Sequence, residues 1–174
     1  MIILVSDTSV LIDLERGGLL EAAFACGLTM VVPDLLYERE LAAHNGPFLR
    51  ALGLGVVALS PSEVEFAQAL RKKQPGLSIP DCFALSCARR DNYALVAVDK
   101  LLQSEAALEN CAVYGLLWVL DQMDSSGKID TDMLREGLDR MRNHPRCRLP
   151  RGEVSQRLQQ WSTKGDAVAE RGPG

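Results

Sequence analysis

A chain of 174 residues with 47% hydrophobic content can bury one compact core and is short for two domains. Its formal charge of −4 excludes a surface that binds nucleic acid by overall charge, so any such binding must come from locally gathered cations. The five cysteines (Cys26, Cys82, Cys87, Cys111, Cys147) contain no C-x-x-C pair, and His44 and His144 stand alone, which leaves no disulfide framework, zinc finger or catalytic triad to argue for.

The chain opens on MIILVSDTSVLIDL, an apolar run with no basic leader that Asp7 interrupts early. No stretch approaches the ~20 apolar residues of a membrane span, and the expectation is a soluble, cytoplasmic protein. Five short runs rich in β-branched residues predict strands at 2–5, 30–32, 56–59, 94–98 and 111–114. Between them the patterning predicts helices at 9–15, 19–25, 34–43, 62–73, 80–91 and 103–108. Pro75 and Gly76 end the fourth helix, and Ser78 to Asp81 has the S-x-x-D form of a capping box that starts the fifth. Because the strand runs are apolar at nearly every position, they read as buried on both faces, as in a parallel sheet covered by helices. The predicted fold is therefore α/β, a three-layer α/β/α sandwich on a five-stranded, mainly parallel sheet.

After the fifth strand the texture becomes helical, near 116–123 and 132–142, with the turn DSSGK between. A last amphipathic stretch, RGEVSQRLQQW, spaces Val154, Leu158 and Trp161 for one helical face. The predicted domain spans 1–161 with this helical extension included, and 162–174 has little to bury and reads as a disordered tail.

In an open parallel sheet, ligands bind outside the carboxyl ends of the strands, and acids fall there repeatedly. Asp7 follows strand one, Asp34 and Glu38 follow strand two, Asp99 follows strand four, and Asp81 heads the helix leading into strand four. Taken singly, each reads more simply as a helix cap or a first-turn acid. Taken together, converging carboxylates repel one another, and a divalent cation removes that repulsion. Oxygen-only donors select a hard ion such as Mg²⁺ or Mn²⁺, which typically shares its sphere with phosphate oxygens and can drive an in-line displacement without a nucleophilic side chain.

The motifs VSDTSVLI, VPDLLYEREL, PDCFALSCARR and ALVAVDKLL together resemble the PIN-domain family of metal-dependent ribonucleases, and within it the VapC-type toxins of prokaryotic toxin–antitoxin pairs. The resemblance covers residues 1 to about 160 and implies a PIN-like sandwich. It implies an endoribonuclease hydrolysing RNA phosphodiester bonds with Mg²⁺ or Mn²⁺, held by the catalytic quartet Asp7, Glu38, Asp81 and Asp99, with Ser9 as a supporting polar residue beside the first acid. It also implies a cognate antitoxin and a homodimer. One departure stands out: Ala97 occupies a position where family members often carry Thr. For a polyanionic substrate the sequence offers Lys100 and a cluster including Arg142, Arg146, Arg148 and Arg151 as RNA-binding candidates, with Lys72, Lys73, Arg89 and Arg90 as further cations. The competing expectation is a catalytically degenerate PIN scaffold that binds RNA or a protein partner. A phospho-acceptor receiver would need an Asp after strand three, where SPSEVE stands, and a dehalogenase-type phosphatase would need D-x-D after strand one, where DTS stands.

Overall fold

The β-branched runs assemble into one sheet in the computed structural model, which describes residues 1–169. Its strands are β1 (Ile3–Ser6), β2 (Met30–Pro33), β3 (Gly55–Val57), β4 (Tyr93–Val96) and β5 (Val113–Tyr114), all parallel, in the order β3-β2-β1-β4-β5. Burial follows that order. Every residue of β2 is buried, as are three of the four residues in each of β1 and β4, while the edge strands β3 and β5 are only half-buried. The sandwich predicted from unbroken apolar runs is thus present, and its sheet is wholly rather than mainly parallel.

The helices are α1 (Thr8–Arg16), α2 (Leu20–Ala25), α3 (Asp34–Leu36), α4 (Gly46–Leu52), α5 (Pro61–Lys73), α6 (Ile79–Ala88), α7 (Lys100–Leu108), α8 (Leu116–Ser125), α9 (Thr131–Asn143) and α10 (Arg151–Ala169). The chain clusters into two compact units, one of Met1–Leu11 with Leu28–Gly115, the other of Ile12–Gly27 with the chain from Leu116 onward.

In the first unit α6 lies against β1, β2 and β4, and residues 82–88 are buried all round, which explains why that stretch carries no polar face. Arg90 ties the end of α6 to α5 through paired hydrogen bonds to Glu63, at 2.7 and 2.8 Å. The same pairing holds the Glu63 carboxyl down at about 2. The direction of winding reverses between β1 and β4, so their carboxyl ends border the crevice where such sheets bind ligands.

In the second unit α9 packs on α8 and α10, and α2 on α8. Gly137 permits a close crossing: a Cβ there would stand 2.9 Å from the Gly17 carbonyl and 2.6 Å from Leu19. Arg157 forks onto Asp121 at 2.8 and 2.7 Å, and Val154 and Trp161 are buried.

Three local differences from the sequence expectation have physical causes. The sequence reading assigns no element between the helix ending at 43 and the strand at 56, yet α4 forms there, because Pro is tolerated in a first helical turn and Gly53 ends the helix at φ 116°. The helix expected over 34–43 is α only to Leu36; Tyr37–Leu41 widens into a π-helical turn, with Ala42 N–H donating to the Tyr37 carbonyl at 2.8 Å. The ordered chain also does not stop at 161. Anchored by Trp161, α10 continues to Ala169, with the Ser162 and Thr163 hydroxyls donating to carbonyls one turn back and Lys164 bonding both oxygens of Asp124 at 3.0 Å. Positions 170–174 of the expected tail lie outside the described residues. Among the described residues, no helix is long and apolar enough to cross a membrane, and all five cysteines are free thiols.

Candidate active site

Asp7 stands where β1 hands over to α1. Its N–H donates to the Val96 carbonyl at 2.9 Å, extending the β1–β4 ladder by one residue, and its carbonyl accepts from Val10 at 3.1 Å, opening the helix. Two backbone ties therefore fix its side chain at the winding reversal. The residue is 4% exposed, and Ser9 donates to its carboxylate through backbone and hydroxyl, yet Oδ2 has no hydrogen-bond partner. Burial pushes the Asp7 carboxyl up from 3.8 to about 7, the charges of Asp81 and Glu40 add to the rise, and Ser9 offsets part of it. A buried acid with an orphaned oxygen and two acidic neighbours is unfavourable as a purely structural element.

The glutamate that acts on Asp7 is Glu40, not Glu38. Glu38 is exposed, whereas Glu40 is half-buried and accepts a hydrogen bond from the Thr8 hydroxyl, next to Asp7 in the chain. Helical spacing accounts for the difference. Leu36, Tyr37 and Leu41 are buried; position 40 lies four residues after the first and three after the second, on their face, while position 38 points elsewhere. The π-helical turn falls across this segment, as such insertions often do at functional positions. The apolar stripe in LLYEREL was the signal that distinguishes the two glutamates.

Asp81 closes the capping box foreseen at the head of α6: its Oδ2 accepts from Ser78 N–H at 2.9 Å, and the Ser78 hydroxyl accepts from Asp81 N–H at 3.1 Å. Asp99 is the N-cap of α7, accepting from Leu102 N–H at 2.9 Å through Oδ1. Lys100 is exposed at the first position of that helix. Ala97 is buried, and its carbonyl accepts from the Gln103 side chain at 2.7 Å. The charges of Asp81 and Glu40 thus act on Asp7, Ser9 bonds its carboxylate, and Asp81 and Asp99 have cap roles of their own.

The donor chemistry here is carboxylate oxygen, the kind suited to a hard divalent cation, and the orphaned Oδ2 of Asp7 is an atom such an ion would satisfy. Among the described residues, however, no three His, Cys, Asp or Glu side chains are drawn together into a ready metal-holding group. The fit is one of charge and orphaned oxygen, centred on Asp7.

The arginines singled out near the C-terminus belong to the second unit. Arg142 is paired with Asp139, Arg148 acts electrostatically on Asp13, and the Arg146 N–H donates to His144 Nδ1 at 3.1 Å. Arg142 and Arg151 line a cavity of about 490 Å³ that also includes His144 and Cys147.

A family model described as a PIN domain matches residues 3–163. No curated protein and no solved structure matches the chain.

Proposed function

The chain belongs to the PIN-domain family, a fold whose members are commonly nucleases, and from that premise we propose that it is a divalent-cation-dependent endoribonuclease. The observation that carries the proposal is Asp7: a carboxylate buried at the sheet's winding reversal, with one oxygen unpartnered and Asp81 and Glu40 as acidic neighbours. Asp7, Glu40 and Asp81 are the protein's side of the cation site, and Asp99, following β4, is the fourth acid on that edge. These carboxylates would hold a Mg²⁺ or Mn²⁺ ion, which would supply charge neutralisation and a more acidic water for attack on a phosphodiester. Ser9 holds the Asp7 carboxylate in one orientation, and Thr8 does the same for Glu40. In the reaction, water adds to phosphorus as the P–O bond to the leaving oxygen breaks, and that oxygen takes up a proton. Within this reading the protein is the toxin of a type II toxin–antitoxin pair, working as a homodimer in the cytoplasm.

A second reading, a PIN scaffold that binds RNA or protein without cutting, is favoured by one observation. Asp81 and Asp99 each have an oxygen committed to a helix cap. Incubating the full chain with single-stranded and structured RNAs in Mn²⁺, Mg²⁺ or chelator separates the two. Cation-dependent cutting that disappears in chelator and in Asp99→Asn is the result expected of a nuclease; RNA retained but uncut under every cation selects the scaffold.

A further inference from the structure

The first unit contains an open cavity of about 280 Å³ whose walls are cationic and apolar, with no acid among the lining residues. Arg39, Arg71 and Lys72 supply the charge; Ile79, Phe83 and Ala67 supply the apolar surface. The elements explain the composition. Arg71 and Lys72 come from the last turn of α5, Ile79 and Phe83 flank Asp81 on α6, and Arg39 sits between Glu38 and Glu40 on the π-helical turn.

Two features set these cations apart. Arg16, Lys73, Arg89, Arg90, Arg157 and Lys164 are in ion pairs, but among the described residues Arg39, Arg71 and Lys72 are in none. Unpaired cations converging on one concavity of an acidic protein leave a local anion site. The second feature is the apolar wall. Ile79 is 38% exposed, a large side chain left open to water, and the Arg39 guanidinium lies 6.0 Å from the Phe83 ring centroid, within cation–π range. A simple anion site has no need of such a wall, whereas a nucleotide presents both a phosphate and a flat apolar base.

We propose that this cavity is a nucleotide subsite that takes an unpaired base and its phosphate from single-stranded RNA flanking the scissile bond. Its volume falls below the ~300–1,000 Å³ of cavities that hold drug-sized ligands, which suits one splayed-out nucleoside and excludes a duplex. Arg71 and Lys72 take the phosphate, and Ile79 and the Arg39 guanidinium plane take the base. The inference rests on the nuclease reading for its choice of polymer, but its test does not require cleavage.

That test measures binding of a fluorescent single-stranded RNA by anisotropy, in chelator, with full-length Asp7→Asn as the parent so that no cutting occurs. Adding Arg71→Gln and Lys72→Gln weakens binding about tenfold or more and flattens the salt dependence by roughly 1 to 2 in log–log slope, since each lost phosphate contact in a single strand contributes ~0.7. Ile79→Ser weakens binding without changing the slope, and duplex RNA of the same length responds to none of these changes. Thermal midpoints of the variants report whether folding is intact. Unchanged affinity for single-stranded RNA in the Arg71/Lys72 variant overturns the subsite, as does a parent that binds no RNA, the outcome expected if the cavity serves an acidic peptide. If binding depends on Arg71 and Lys72 while active protein cuts nothing with any cation, the subsite stands and the nuclease reading fails. If cutting is cation-dependent and binding ignores the cavity, the reverse holds.

Discussion

Asp7→Asn changes the pH dependence of folding, and at pH 8 in chelator the variant is expected to be the more stable protein. The Asp7 carboxyl titrates at about 7 in the folded chain against 3.8 ordinarily. An acid raised in this way binds more protons folded than unfolded, so its contribution to stability is complete below pH ~4 and is lost as pH rises through 7. At ~1.4 kcal/mol per pH unit, the whole effect is roughly 4 kcal/mol, and about 3 kcal/mol of it falls between pH 5 and pH 8. Asparagine keeps an acceptor for Ser9 and carries no charge, but it leaves a buried amide N–H unpaired at a cost of about 1–3 kcal/mol. The wild type should therefore be the more stable protein at pH 5 and the variant at pH 8. Urea titrations at both pH values check this. Parallel pH profiles for the two proteins would mean that Asp7 is not the strained acid described here.

A contrast between two neighbouring glutamates is the second large effect. Glu40→Gln preserves the acceptor for the Thr8 hydroxyl while removing the charge that acts on Asp7, so RNA cleavage should fall by about 10²-fold or more, the scale seen when one electrostatic contributor is lost from a reacting site. Glu38 is exposed, and Glu38→Gln should stay within about twofold of wild type, as surface changes away from a reacting centre usually do. Initial rates with a single RNA substrate in Mn²⁺ decide the matter. Loss of activity in Glu38→Gln with Glu40→Gln unaffected would restore the other glutamate and contradict the placement argued from the buried stripe.

Much of the framework was legible because it follows from short-range rules. Unbroken apolar runs such as those around Val31 and Leu95 marked buried parallel strands, and the Ser78–Asp81 spacing marked the start of α6. The parts that escaped depend on how the backbone resolves local ambiguity. HNGP contains two turn formers and also a permissible helix start. LLYEREL offers two glutamates whose orientations are decided by which apolar side chains face the sheet, and by a π-helical turn that no residue pattern announces. The cavity beside α6 was invisible for another reason: Arg39, Arg71 and Ile79 come from three segments, and only tertiary packing makes them neighbours. That acids follow the strand ends could be read from the sequence; the burial and orphaned oxygen that single out Asp7 could not.

Calorimetric titration of Mn²⁺ into the full-length protein at pH 6, alongside Asp7→Asn, probes the cation site without depending on any substrate. Saturable binding in the wild type, with proton release as Asp7 gives up its proton, and its loss in the variant, is the predicted outcome. Equal heats in the two proteins, or none in the wild type, would contradict the idea that this buried acid exists to hold a cation.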